Sequence, residues 1–353
     1  MMKKVLGLVL TVVLMTSLFA GCAQKNNAPV TDAPTGEQGE EAGGEAEAKA
    51  DETYVFMCPL ANLEYWQAYR VGLEDACAEL GVTAKFLGDD GLEADAMCAI
   101  LETAINDPTT AGIIMPGHFP EAYEPYYEMA WEKGIPVVNV GQDVSNSRRL
   151  TCLGSDYVTY GAMMLDQAAE AVNESGEVII SQALSAGSSA AEEIMTGIHT
   201  QIEKYPNMKI VAEVDDQSDA AVAATKIGAA LLANPNTAVI IGCQAPSAVG
   251  AVTAVKEAGM GDKVKIISID RDSATLEYVK NGDIYSTVAG KQYTEVYYGT
   301  KICYDFNHGP KSAFSNDDMV ANLLIAPNFV DTGSLVINQD NVDYFLDFNY
   351  ADK

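Results

Sequence analysis

The chain is poor in basic residues and in histidine. Lys and Arg number 21 against 50 Asp and Glu, giving a formal charge of −29 over 353 residues. A surface this acidic repels phosphate backbones and anionic lipid headgroups, which excludes nucleic acid as a partner. The three histidines, His118, His199 and His308, are isolated from one another, so none has a second ligand at metal-binding spacing. His118 therefore reads as a rim or structural histidine. No GxSxG elbow, phosphate loop, HExxH or Cys–His arrangement is present, so neither an enzyme nor a cofactor is expected. The pair Asp215-Asp216 falls in an expected turn and needs no catalytic role. Seven cysteines occur without a CxxC spacing. Most lie in apolar strand or helix contexts, where a free thiol behaves as a small hydrophobe, and they are expected to be reduced.

Long apolar runs are also scarce. The one at the N-terminus, Val5 to Leu14, is broken by Gly7 and Thr11 and is shorter than the ~20 residues of a spanning helix. Lys3 and Lys4 precede it, and Leu18-Phe19-Ala20-Gly21-Cys22 follows it. A charged start, an apolar core and small residues before a cut form an export signal. With cysteine at the cut, residues 1–21 resemble a bacterial lipoprotein signal, which implies that Cys22 is lipidated and anchors the protein outside the cytoplasm.

Residues 22–52 lack Leu, Ile and aromatics and carry eight acidic residues between Asp32 and Glu52. They cannot bury enough surface to offset ordering entropy, so an acidic disordered linker is predicted. A coil of this length spans roughly 30 Å on average and ~100 Å at full stretch.

From Tyr54 onward the pattern changes. Short Val/Ile-rich runs (54–57, 82–87, 112–115, 135–140) alternate with amphipathic stretches of helical length, such as 65–80 and 92–105. After Asp156 the alternation restarts, with runs at 177–180, 209–212, 238–241 and 264–269. Continuous apolar strands between helices are buried on both faces of a parallel sheet. Two such series predict an α/β fold with two doubly wound parallel-sheet lobes. Ligands of open parallel sheets sit beyond the carboxyl ends of the strands, so the residues just after each strand are the functional candidates.

Those residues carry a resemblance. Asn62-Leu63-Glu64-Tyr65-Trp66 with Gly72, then Gly134-Ile135-Pro136-Val137-Val138, resemble the sugar-binding type I periplasmic binding proteins of the ribose- and galactose-binding group. Gly154-Ser155-Asp156-Tyr157 with Gly161, Ala186-Gly187-Ser188-Ser189-Ala190 with Gly197, Ile267-Ser268-Ile269-Asp270, and Val336-Ile337-Asn338 with Asn341-Val342-Asp343 extend the match over about 53–345. The resemblance implies a Venus-flytrap of two lobes joined by a three-crossing hinge. It places 53–154 and 291–325 in an N-terminal lobe, and 155–290 and 326–353 in a C-terminal lobe. It further implies a monomeric solute-binding protein that delivers a sugar-like small molecule to an ABC permease with a cytoplasmic ATPase. The same trap also serves as a sensing module for a kinase or chemoreceptor, or as a binder of a nucleoside or quorum-type signal, and these readings stay open.

Sugar capture suits the residue types. Aromatic rings cover C–H faces, while carboxylates and amides satisfy the hydroxyl rim. Tyr65 and Trp66 are the stacking candidates and Asn62 a hydroxyl partner. Asp270 matches the family's ligand aspartate, and Gln244 stands where the family often has asparagine. Gln292 fits its hinge-side glutamine. After the fourth strand, where the family usually has Asp-Arg, the chain has Gly141-Gln142-Asp143, making Gln142 and Asp143 the candidates. Near Gly187, where arginines are expected, it has Glu192, Glu193 and Ile194, with Arg271 as a replacement donor. Loss of both arginine forks argues against a sugar acid or phosphate and favours a neutral carbohydrate.

Overall fold

The computed structural model describes residues 51–184, 189–309 and 326–347. The expected export signal, the acidic linker and Cys22 lie outside the described residues. The first sheet contains β1 (Thr53–Cys58), β2 (Thr83–Gly88), β3 (Thr110–Met115), β4 (Val137–Val140), β5 (Cys152–Gly154) and β11 (Phe329–Asp331), in the order β11-β5-β4-β3-β1-β2. The second contains β6 (Ser175–Gln182), β7 (Asn207–Asp215), β8 (Thr237–Gly242), β9 (Lys265–Ile269), β10 (Ser286–Ala289) and β12 (Leu335–Asn338), in the order β12-β10-β9-β8-β6-β7. All pairings are parallel except β10 with β12. All six residues of β1 are buried, whereas the edge strand β2 is only partly covered. This is why β1 has no polar alternation.

Helices cover the faces. In the first lobe these are α1 (Gln67–Leu80), α2 (Ala94–Asn106), α3 (Pro120–Glu132) and the late helix α9 (Gln292–His308). In the second they are α4 (Tyr157–Ala171), α5 (Ser189–Gln201), α6 (Ala220–Ala233), α7 (Ala245–Glu257), α8 (Ser273–Asn281) and α10 (Val342–Asp347). Each sheet carries an apolar cluster on both faces, with Ile113 and Met97 on one side of the first and Phe56, Tyr69 and Leu73 on the other. The chain passes from one sheet to the other after β5, back after β10, and again after β11, which gives the three crossings.

The last crossing differs from expectation. The resemblance implies that 326–353 belong to the C-terminal lobe. Instead Phe329, Val330 and Asp331 pair in register with Cys152, Leu153 and Gly154, so these residues complete the first sheet. Without them β5 would present an unpaired edge. The chain crosses between Asp331 and Leu335.

Two glycines let α4 and α5 touch. A Cβ on Gly161 would stand 2.0 Å from the Ile194 carbonyl oxygen, and one on Gly197 would stand 2.0 Å from that of Val158. Those helices support the wall of the inter-lobe space. The six described cysteines, Cys58, Cys77, Cys98, Cys152, Cys243 and Cys303, are free and buried. Among the described residues no helix is long and apolar enough to cross a membrane.

Candidate functional site

Loops after β1, β3, β4, β6, β8 and β9 converge on a cleft of about 540 Å³ between the sheets. A volume of this size lies within the ~300–1,000 Å³ range of small-molecule sites. The first wall is aromatic. A single 3₁₀ turn, Glu64–Trp66, precedes α1 and brings Tyr65, Trp66 and Tyr69 together, because positions one helical turn apart share a face. Ring centroids lie 4.8 Å apart for Tyr65–Trp66 and 5.3 Å for Trp66–Tyr69. Tyr69 stacks on Phe56 of β1 at 5.1 Å, tying this wall to the first-lobe core. From the second lobe Tyr157 and Tyr160 project from the first turn of α4, whose N-cap Asp156 accepts from the Thr159 amide at 2.6 Å. The Tyr160 hydroxyl donates to the Val288 carbonyl at 2.6 Å, which fixes its ring.

The amides and carboxyls of the lining are Gln142, Gln182, Gln244, Asp270, Gln292 and Glu295. Among the described residues no lysine or arginine lines this cleft, although Arg271, next to Asp270, lines the space beside it. Asp270 directly follows β9 in a left-handed conformation, φ 68°, which re-aims the chain out of the strand. This is an uncommon state for a non-glycine residue and is typical of functional sites. Its side chain is not the helix cap. Asp272 caps α8, accepting from the Thr275 amide at 3.1 Å and its hydroxyl at 2.6 Å, so Asp270 stays available to the cleft. Burial pushes the Asp270 carboxyl up to about 7, with Asp272 adding to the effect and Arg271 opposing it. Burial likewise pushes Glu295 up to about 7, although the Tyr69 hydroxyl donates to it at 2.7 Å. Burial depresses His118 to about 4, leaving a neutral ring.

Four buried polar atoms of cleft residues have no hydrogen-bond partner among the described residues: Trp66 Nε1, His118 Nδ1, Gln182 Nε2 and Gln292 Oε1. Buried polar atoms are normally paired, so this concentration around one space marks it as a place that a hydroxyl-rich ligand or water completes.

Of the residues singled out from sequence, Tyr65, Trp66, Gln142, Gln244, Asp270 and Gln292 line the cleft. Asn62 and Asp143 do not. Asn62 Nδ2 donates to Asp90 at 2.5 Å on the exposed rim. Asp143 accepts from Arg149 Nε, and from its Nη2 at 2.6 Å. The Arg149 side chain is 2% exposed, and a guanidinium so buried needs a counter-charge, which takes Asp143 away from the cleft. Glu192 and Glu193 are exposed on α5. Tyr69, Tyr157, Tyr160, Gln182 and Glu295 were not singled out. Tyr69 lies three and four residues beyond Trp66 and Tyr65 across the join of the 3₁₀ turn and α1, and Glu295 three beyond Gln292 on α9, spacings that could have revealed them. Gln182 has no such signal. Among the described residues no cluster of three or more His, Cys, Asp or Glu suits a metal.

A family profile described as "Periplasmic binding protein domain" matches residues 54–310. The chain belongs to the periplasmic binding protein family. The family places it outside the cytoplasm. An arabinose-binding protein from Geobacillus stearothermophilus, AraP, superposes with a TM-score of 0.78 at 28% identity, over 84% of this chain and 99% of the other. A sugar-binding protein of a sugar ABC transporter from Bacillus halodurans gives a TM-score of 0.78 at 26% identity, over 83% and 99%. The D-allose-binding periplasmic protein of Escherichia coli (strain K12) is 25% identical over 302 residues, 82% of this chain and 93% of that protein.

Proposed function

We propose that this chain is the solute-binding component of an ABC importer and captures a neutral carbohydrate in the cleft between its lobes. The observation that carries the reading is the pairing of an aromatic wall, Tyr65–Trp66–Tyr69, with a belt of amides and carboxyls in which no described residue is a cation. Rings stack on the apolar faces of a sugar, while Asp270, Gln142, Gln244 and Gln292 accept from and donate to its hydroxyls. The missing cations disfavour sugar acids and sugar phosphates, whose charge would lie unpaired beside two carboxyls. The names of similar proteins support the class, since they bind arabinose and D-allose.

In this reading a ligand contacting both walls favours the closed arrangement by its differential affinity, and the closed form docks on the permease. The protein binds and releases without making or breaking bonds. Lipidation of Cys22 and the acidic leader after it would hold the trap near the membrane, with local concentration set by tether length.

The test uses Trp66 as reporter. The chain has two tryptophans, Trp66 in the cleft wall and Trp131, which packs against Phe306. In a Trp131→Phe background, emission is followed during titration with arabinose, allose, xylose, ribose, galactose and xylitol, beside calorimetry on the unmodified protein. Saturable binding of at least one neutral sugar or polyol, and none of gluconate or ribose 5-phosphate, is expected. Binding of the anions alone would refute the reading.

A further inference from the structure

A second cavity of about 440 Å³ adjoins the cleft. Leu63, Tyr65, Ala245, Pro246, Asp270 and Gln292 line both spaces, so the two share a wall. The chamber adds apolar side chains that the cleft lacks, Ala68 from α1 and Leu276, Phe345 and Leu346 from the second lobe. Most of its surface is carbon, although Glu64, Gln67, Arg271, Asp272 and Ser273 also line it. Leu63 is 49% exposed although it stands between the two spaces. Neither helix nor core packing requires a bare leucine there.

A single sugar ring held in the cleft leaves the apolar part of this chamber, Ala68, Leu276, Phe345 and Leu346, uncovered. Its hydroxyls need the polar belt, and its C–H faces are covered by the aromatic wall. The chamber also spans the lobes. Ser273 Oγ, at the start of α8, donates to Glu64 Oε1 at 2.5 Å, and both residues line it. A group filling the chamber would therefore touch both lobes, as the sugar does.

We infer that the ligand is a glycoside, with its sugar ring in the cleft and an apolar aglycone, an aryl or short alkyl group, in the adjoining chamber. This rests on the sugar-binding reading and deepens it. The sugar supplies orientation through directional hydrogen bonds. The aglycone supplies non-directional burial, which for a group the size of a phenyl ring amounts to roughly a tenfold to hundredfold gain in affinity.

The experiment is calorimetric titration of the protein with the free sugars and with methyl and phenyl glycosides, both anomers, of allose, arabinose, glucose, galactose and xylose. Expected is a sugar whose phenyl glycoside binds at least tenfold tighter than its methyl glycoside. Gln67 lines the chamber and not the cleft, so Gln67→Trp fills the chamber and should abolish that advantage while leaving the methyl glycoside unchanged. Phe345→Ala removes an apolar wall and should weaken the phenyl glycoside alone. Circular dichroism and melting curves check that both variants fold. If phenyl and methyl glycosides bind alike, or the phenyl compound binds more weakly, the aglycone chamber is refuted and the sugar reading stands. An advantage that survives in both variants refutes it as well. If neither the free sugars nor any glycoside binds, the sugar reading itself fails.

Discussion

Replacing Glu295 with glutamine separates the burial of an acid from the rest of the protein's pH response. Glu295 is 3% exposed in α9, and burial pushes its carboxyl from the ordinary 4.5 to about 7. The groups around it, Tyr65, Tyr69, Tyr157, Tyr160 and Cys152, all have ionisations pushed upward and stay neutral near pH 7. None therefore offsets the carboxylate. The folded protein holds this proton at pH values where the unfolded chain has released it. Stability is then complete below about pH 4.5 and falls as pH rises through 7. The shift corresponds to about 3 kcal/mol at alkaline pH. Glu295→Gln keeps the shape and can still accept from the Tyr69 hydroxyl, but does not ionise. The melting temperatures of the two proteins should be similar at pH 4.5, and the variant should melt higher at pH 8.5 by ~6–10 °C. Asp270, also pushed up to about 7, titrates in both proteins and cancels in the difference. Scanning calorimetry of both from pH 4.5 to 8.5 makes the comparison. A difference that does not change with pH, or a variant that loses ground as pH rises, would refute the assignment.

Gly197→Ala should lower stability by ~1–3 kcal/mol, because its Cβ would stand 2.0 Å from the Val158 carbonyl and force α4 and α5 apart. Gly228→Ala, in α6 with nothing within 4 Å, should raise stability by ~0.5–1 kcal/mol, and urea melts of both decide. Asp143→Ala leaves Arg149 buried without its counter-charge, with Asn328 Oδ1 still accepting from it at 2.8 Å, and should lower stability by ~3–5 kcal/mol while leaving sugar affinity unchanged below the melting point. A loss of affinity in the folded variant would return Asp143 to the ligand site. Cys22→Ala should release the protein from the membrane fraction of expressing cells, and persistence there would overturn lipid anchoring.

The strands that were readable in sequence are those buried on both faces. Ile113-Ile114, Val239-Ile240-Ile241 and Ile266-Ile267 are fully covered, so nothing polar interrupts them. The strands β5 and β11 are three residues each, too short for any periodicity, and β11 acquires its meaning only from pairing with β5. The cleft was legible to the same extent. Its residues follow strand ends, and parallel topology fixes where strand ends point. What sequence could not supply is side-chain allegiance. Gln142 and Asp143 are neighbours, yet one lines the cleft and the other serves Arg149. Asn62 is taken by Asp90, 28 residues away. Competition for a buried or nearby charge decided both cases, and such competitors are visible only once the chain is folded.

The aromatic wall explains why fold and site are hard to separate here. Trp66 and Tyr69 are 5% and 1% exposed and belong to the first-lobe core together with Phe56 and Leu73, yet both line the cleft. One face of each ring is held by packing, so its orientation is set before any ligand arrives. A preformed ring loses little conformational freedom on binding, and that saving appears as affinity. Tyr65 is 37% exposed, so it retains more freedom and more of its surface remains to be covered. The three rings thus form a gradient from core to solvent along one helical face. Selectivity should rest with the fixed pair, whose rings are set at 47° to each other and so offer a surface of fixed shape. Tyr65 lines both the cleft and the adjoining chamber, so a ligand that occupies both would pack against this less constrained ring.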